Sequence, residues 1–176
     1  GIDTAEDGDT VLVYSGEYFE NIVFSDKSIV IKSVEGHLET IINGNSNRNV
    51  IKVGDGEANT IIEGFRITNG DADWGGGIQI GQEASITLNN LLIIDNNSDG
   101  VGGGIGVNDF SQIYINNTTI DSNQSVGNGG GIYISSNSSG NFSNVYVSNN
   151  STGSNSRGGG IYIHGSTLNA SDLSIT

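Results

Sequence analysis

Short runs in which apolar and polar residues alternate recur along the whole chain. The clearest are Ile51/Val53, Ile78/Ile80, Ile105/Val107, Ile132/Ile134 and Ile161/Ile163, each pair enclosing one residue of the opposite face. Four of these five follow a glycine triplet: WGGGIQI from Trp74, VGGGIGV from Val101, NGGGIYI from Asn128 and RGGGIYI from Arg157. The third glycines, Gly77, Gly104, Gly131 and Gly160, are spaced by 27, 27 and 29 residues. A second apolar column, Leu88, Ile115 and Phe142, also has a period of 27, with Ile86 and Ile113 two residues ahead of the first two. A third column pairs asparagine with an aliphatic residue in NLLIIDN from Asn90, NTTIDSN from Asn117 and NVYVSNN from Asn144. GFRITNG from Gly64 repeats that layout with glycine at both asparagine positions. Ile29/Ile31 and Val11/Val13 read as earlier, less regular copies of the glycine-led element.

Period-2 alternation over three to five residues marks strands, and strands that short cannot bury a face alone. Stacked copies can. If each unit of about 27 residues is one turn of a coil, equivalent strands lie roughly 4.8 Å apart, pair in parallel, and turn their aliphatic columns inward. The pattern predicts an all-β fold, a right-handed parallel β-helix. It has about 6–7 coils, three short parallel sheets and a length of roughly 30 Å at that spacing. One domain covers 1–176, with a shallow N-terminal cap in 1–10 around Ile2 and Ala5. A leucine-rich repeat has a similar period but needs a leucine lattice, which is missing.

The same stacking predicts structural roles for the punctuating residues. Corners between coils need positive φ or a missing Cβ, which Gly77, Gly104, Gly131 and Gly160 and their neighbours supply. Asparagine tolerates the left-handed region and can bond its copy in the next coil, so Asn90, Asn117 and Asn144, with Asn96, Asn123 and Asn150, are expected to form ladders.

Composition narrows the partners. The chain has 28 glycines, no cysteine, methionine or proline, and a formal charge of −14. Without cysteine there is neither a disulfide framework nor a thiolate metal site. The negative charge excludes nucleic-acid backbones and anionic membrane surfaces as partners. No run is long enough for a membrane helix. All eight glutamates and five of the six basic residues lie at or before Glu83, while Asn, Ser, Thr and Gly dominate afterwards.

GGGI combined with the Φ-x-x-N element (IIDN at Ile93, IDSN at Ile120, VSNN at Val147) resembles the repeats of bacterial polymorphic outer-membrane proteins. It is also similar to the wider group of secreted right-handed β-helix repeat proteins. There an amphipathic capping helix precedes a G-D-T-V strand like that in GIDTAEDGDTVLV. The resemblance implies a secreted or cell-surface passenger, often adhesive, carried by a separate anchor or transport domain. The chain begins with Gly1 and stops within a third-column strand, so it is read as a piece of a longer rod.

Catalytic signatures are sparse. The outward residues of the glycine-led strands, Lys52, Gln79, Gly106, Tyr133 and Tyr162, gather no carboxylates beside a base, and neither do Arg66, Leu92, Thr119 and Tyr146. His164-Gly165 is half of one polygalacturonase-type motif, and no catalytic residue is assigned. Variation concentrates in the segments before the glycine triplets, where recognition can change without disturbing the stack. Asp71, Asp73 and Trp74 form the most suggestive group: two acids that could hold Ca²⁺, the only cofactor implied, and an aromatic ring suited to a sugar. With Tyr133, Tyr162 and Arg157 they are the candidate ligand residues. The functional expectation is a non-enzymatic stalk or adhesin-like passenger that binds glycans or protein surfaces. A polysaccharide lyase or hydrolase fragment and a fibre subunit joined end to end are the alternatives.

Overall fold

The computed structural model describes residues 1–24, 27–54, 56 and 59–176. They wind into a parallel β-solenoid, with one strand of a six-stranded sheet contributed by each turn. Every strand pairing among the described residues is parallel and joins one turn to the next. Ile78 pairs with Ile105, and Ile105 with Ile132, so the 27-residue period is the rise of one turn. The apolar stack runs on through Ile22, Ile51 and Ile161. Ile51, Ile78, Ile105 and Ile132 are fully buried. Each such side chain contributes about 1.5–3 kcal/mol by leaving water.

Three sheets form, but their boundaries differ from the expected ones. The second and third apolar columns belong to one eleven-stranded sheet, with two strands per turn. Ser85–Asn89 and Leu92–Ile94 are separate strands, whereas the equivalent residues one turn on, Gln112–Asp121, run as a single strand through the corner. The third sheet comes from the segments before the glycine triplets, expected to be loops: Asp71–Trp74, Asn97–Val101, Gln124–Ser125 and Ser151–Thr152. These segments lack apolar alternation because their pairing is carried by the backbone and by polar ladders.

The first two turns also correct the sequence reading. Val11/Val13 and Ile29/Ile31 do not precede the glycine-led strands. Val11 pairs with Ile31, Ile31 with Ile62, and Ile62 with Leu88, which places them in the second apolar column. The true predecessor of Ile51/Val53 is Ile22/Phe24. The N-terminal cap is a single 3₁₀ turn, Ile2–Thr4, in place of the amphipathic helix that the resemblance implies.

Corners are set by left-handed residues stacked in register. Asn90, Asn117 and Asn144 have φ of 53, 49 and 54°, and Asp95, Ser122 and Asn149 form a second such row. In each glycine triplet the three members do different work, as Gly102–Gly104 illustrates. Gly102 has φ of 68°, and a Cβ there would lie 2.5 Å from the Ile105 carbonyl oxygen. Gly103 faces the Gln124 carbonyl of the next turn, and Gly104 faces Asn123 and the Gly131 carbonyl. Only the first therefore needs its unusual backbone angle, while the others let adjacent turns close. Beneath the third glycines runs a buried amide ladder. Asn96 Nδ2 donates to Asn123 Oδ1 at 3.0 Å, and Asn123 Nδ2 donates to Asn150 Oδ1 at 3.0 Å. The Asn90, Asn117 and Asn144 row is instead exterior, with one exposed bond from Asn144 to Asn117 at 3.0 Å.

The last triplet follows its predecessor after 29 residues, yet Ile132 still pairs with Ile161. The extra residues are taken up in a turn closed by Ser156 N–H donating to the Gly153 carbonyl at 3.0 Å.

Candidate functional site

The outward residues of the six-stranded sheet form one column along the rod: Val23, Lys52, Gln79, Gly106, Tyr133 and Tyr162. Gly106 is the gap in that column, and Trp74 fills it. A Cβ on Gly106 would stand 2.7 Å from Trp74 Nε1 and 2.9 Å from Cε2, so the indole lies across this position. Its far end reaches Gly81, where a Cβ would be 3.7 Å from Cη2 and Cζ3. Two positions without side chains thus give the ring a backbone floor, and Trp74 is half-buried.

Trp74 reaches this place because its strand end is held by amides from the preceding turns. Asn49 Nδ2 donates to the carbonyls of Trp74 and Gly75, each at 2.6 Å. Asn21 Nδ2 in turn donates to the carbonyls of Gly44 at 3.3 Å and Asn49 at 2.9 Å. The Asp71 amide donates to the Arg48 carbonyl at 3.0 Å. Such a frame fixes the main chain that carries the aromatic ring.

Two hollows meet at Trp74. The larger, about 740 Å³, is lined by Arg48, Lys52, Asp73, Trp74, Gln79 and Asp99 among others. The smaller, about 210 Å³, lies toward Gln82, Asn108 and Asp109 and shares Lys52, Trp74 and Gln79 with the first. Neither Arg48 nor Lys52 forms an ion pair with a described residue; the two such pairs, Lys32–Glu63 and Arg66–Asp95, involve residues of the eleven-stranded sheet. Asp71 lines the larger hollow, but its Oδ1 accepts the Asn97 amide at 2.8 Å. Among the described residues no group of three or more His, Asp or Glu side chains is placed to hold a metal ion.

Tyr133 and Tyr162 follow Gly106 on the next two turns and stack on each other, with ring centroids 5.7 Å apart and planes within 10°. Trp74, Tyr133 and Tyr162 therefore mark three successive outward levels of one sheet. Arg157 is exposed at the end of the row that begins at Trp74 and continues through Val101 and Asn128, and its amide donates to Asn128 Oδ1 at 2.7 Å. The structure thus brings Asp71, Asp73 and Trp74 into one cleft and places the tyrosines on its continuation. The sequence reading missed Arg48, Asn49, Asp99 and Asp109. It had Gly106 in the column, and the missing side chain there was the one signal for where Trp74 lies.

Among the described residues the one carboxyl with a clearly displaced pKa is elsewhere. Burial pushes Asp121 upward, but bonds from Ser148, Asn149 and Ser122 outweigh it and hold the group below the usual carboxylate range. It projects from the eleven-stranded sheet. His164 is exposed at the end of Ile161–His164, opposite Ser135.

A family model described as a right-handed β-helix region matches residues 8–173. The chain belongs to the right-handed β-helix family. No curated protein and no solved structure is a significant match. For this β-helix the match adds handedness to the parallel stacking described above. It leaves the chemistry to be argued from the cleft, because fold and activity are separable.

Proposed function

We propose that this β-helix is a non-enzymatic, secreted or surface-displayed module that binds glycans through the cleft at Trp74. The observation that carries this reading is the indole laid across Gly106, its main chain held by Asn49, with Tyr133 and Tyr162 continuing the same outward column. An aromatic ring held on a rigid floor beside amide and hydroxyl groups suits a pyranose. The apolar face of the sugar covers the ring, and its hydroxyls bond to groups such as Gln79 and Asn108. The turn-to-turn rise, about 4.8 Å, is close to one sugar of an extended β-linked chain, so a linear glycan lying along the rod meets each level in turn. The resemblance to surface passengers supports the extracellular setting.

The test is a glycan array followed by titration calorimetry, run with and without Ca²⁺. The ion separates a direct aromatic contact from one bridged through Asp71 and Asp73. Trp74→Ala removes the ring and should weaken binding about 30-fold, the loss of a central anchor worth ~2 kcal/mol. Gly106→Ala keeps the ring but drives it off its floor, and should give a smaller loss with a shift in tryptophan fluorescence. Binding that survives Trp74→Ala unchanged, or an array with no hit, overturns the proposal.

A further inference from the structure

We infer that the Trp74 cleft takes an uncharged glycan and rejects polyuronates; this rests on the glycan reading above and names its substrate class. Four carboxylates, Asp71, Asp73, Asp99 and Asp109, line the two hollows, against two cations, Arg48 and Lys52. Both cations lie on the N-terminal side of Trp74. Past Gln79 the outward column beyond the hollows continues through Gly106 with its indole, then Tyr133 and Tyr162, and none of these carries charge. A polyuronate presents a carboxylate on every sugar. Two cations at one end cannot neutralise that row, and its remaining charges would face Asp73, Asp99 and Asp109. The chain as a whole adds a field of the same sign, at −14. Like charges brought together in a cleft penalise the wrong ligand, a discrimination that contacts to the right one do not by themselves supply. Neutral hydroxyls meet no such barrier, and the Gln79 amide can serve them as donor and acceptor.

Pairs of hexasaccharides that share a backbone and differ only in charge give the test. They are β-1,4-glucan against β-1,4-glucuronan, β-1,4-mannan against β-1,4-mannuronan, and methyl-esterified against free oligogalacturonate. In ~50 mM salt the neutral member of each pair that binds should be at least tenfold tighter than its acid. That gap should narrow toward 0.5 M salt, where screening shortens to a few ångströms. The double variant Asp99→Asn, Asp109→Asn should narrow it as well, by tightening the acidic member of the pair. Both positions are exposed, and asparagine suits the left-handed backbone of Asp109. An acidic hexamer that matches or exceeds its neutral partner overturns this inference and leaves glycan binding standing. If none of the six binds, the glycan reading itself falls.

Discussion

Replacing Asn123 by alanine tests whether the interior amide ladder stabilises the rod or merely decorates it. The Asn123 side chain accepts from the Asn96 amide nitrogen at 3.1 Å and from Asn96 Nδ2 at 3.0 Å. Its own Nδ2 donates to Asn150 and to the carbonyls of Ile93 and Asp121, each at 3.0 Å. After truncation Asn96 Nδ2 keeps its bonds to the Ile67 and Ile94 carbonyls, and Asn150 Oδ1 keeps the Asn123 amide. The Asn96 main-chain N–H keeps nothing, in a residue that is 2 % exposed. A buried donor left unpaired costs about 1–3 kcal/mol, and loss of the bond to Ile93 adds about 1. The expected destabilisation is therefore about 3 kcal/mol in urea unfolding followed by far-UV circular dichroism, with faster hydrogen exchange at Asn96. Asn117→Gly is the control. Asn117 is exposed, accepts one bond from Asn144, and sits at a φ of 49° that glycine adopts freely, so it should change stability by under ~0.5 kcal/mol. A loss below ~1 kcal/mol for Asn123→Ala, or an equal loss at both sites, would refute the ladder's role.

Two further outcomes follow from the same geometry. Gly104→Ala would set a Cβ 2.7 Å from the Gly131 carbonyl oxygen and 3.1 Å from Asn123, so adjacent turns must part. The expected cost is about 1–3 kcal/mol, read by calorimetry as a fall in Tm of roughly 2–4 °C per kcal/mol. Asp121 should sharpen acid unfolding. Its folded pKa lies below the model-peptide value of 3.8, so its contribution is complete above that value and is lost as pH falls through the folded one. Asp121→Asn should accordingly flatten the stability profile below about pH 4 and leave its shape near neutrality unchanged, as denaturant midpoints across that range will report.

How much of this was legible in the residues depended on which force wrote each part. Ile78, Ile105 and Ile132 declared themselves because burial demands the same side chain at the same level of every turn. The first two turns did not. Val11 and Ile31 are 20 residues apart and Ile31 and Ile62 are 31 apart, so no fixed period assigned them to a column, and alternation alone cannot tell one inward column from another. Asn97–Val101 and Ser151–Thr152 were invisible as strands because backbone bonds and polar side chains, with no apolar face, hold their sheet together. The residues around Trp74 marked it only as a ring suited to a sugar and did not say what it lies against. The structure shows it covering Gly106 from 32 positions earlier in the chain, a contact no local pattern encodes.

The two residues added before the last glycine triplet leave Ile132 and Ile161 in register, because the turn through Gly153 and Ser156 absorbs them at the rim. Length at that rim is uncoupled from the helical pitch of the molecule. Foreign peptides spliced near Asn155 should be displayed at a defined height on an otherwise unaltered shaft, and several such sites on successive levels would make this chain a ruler for spacing epitopes or enzymes.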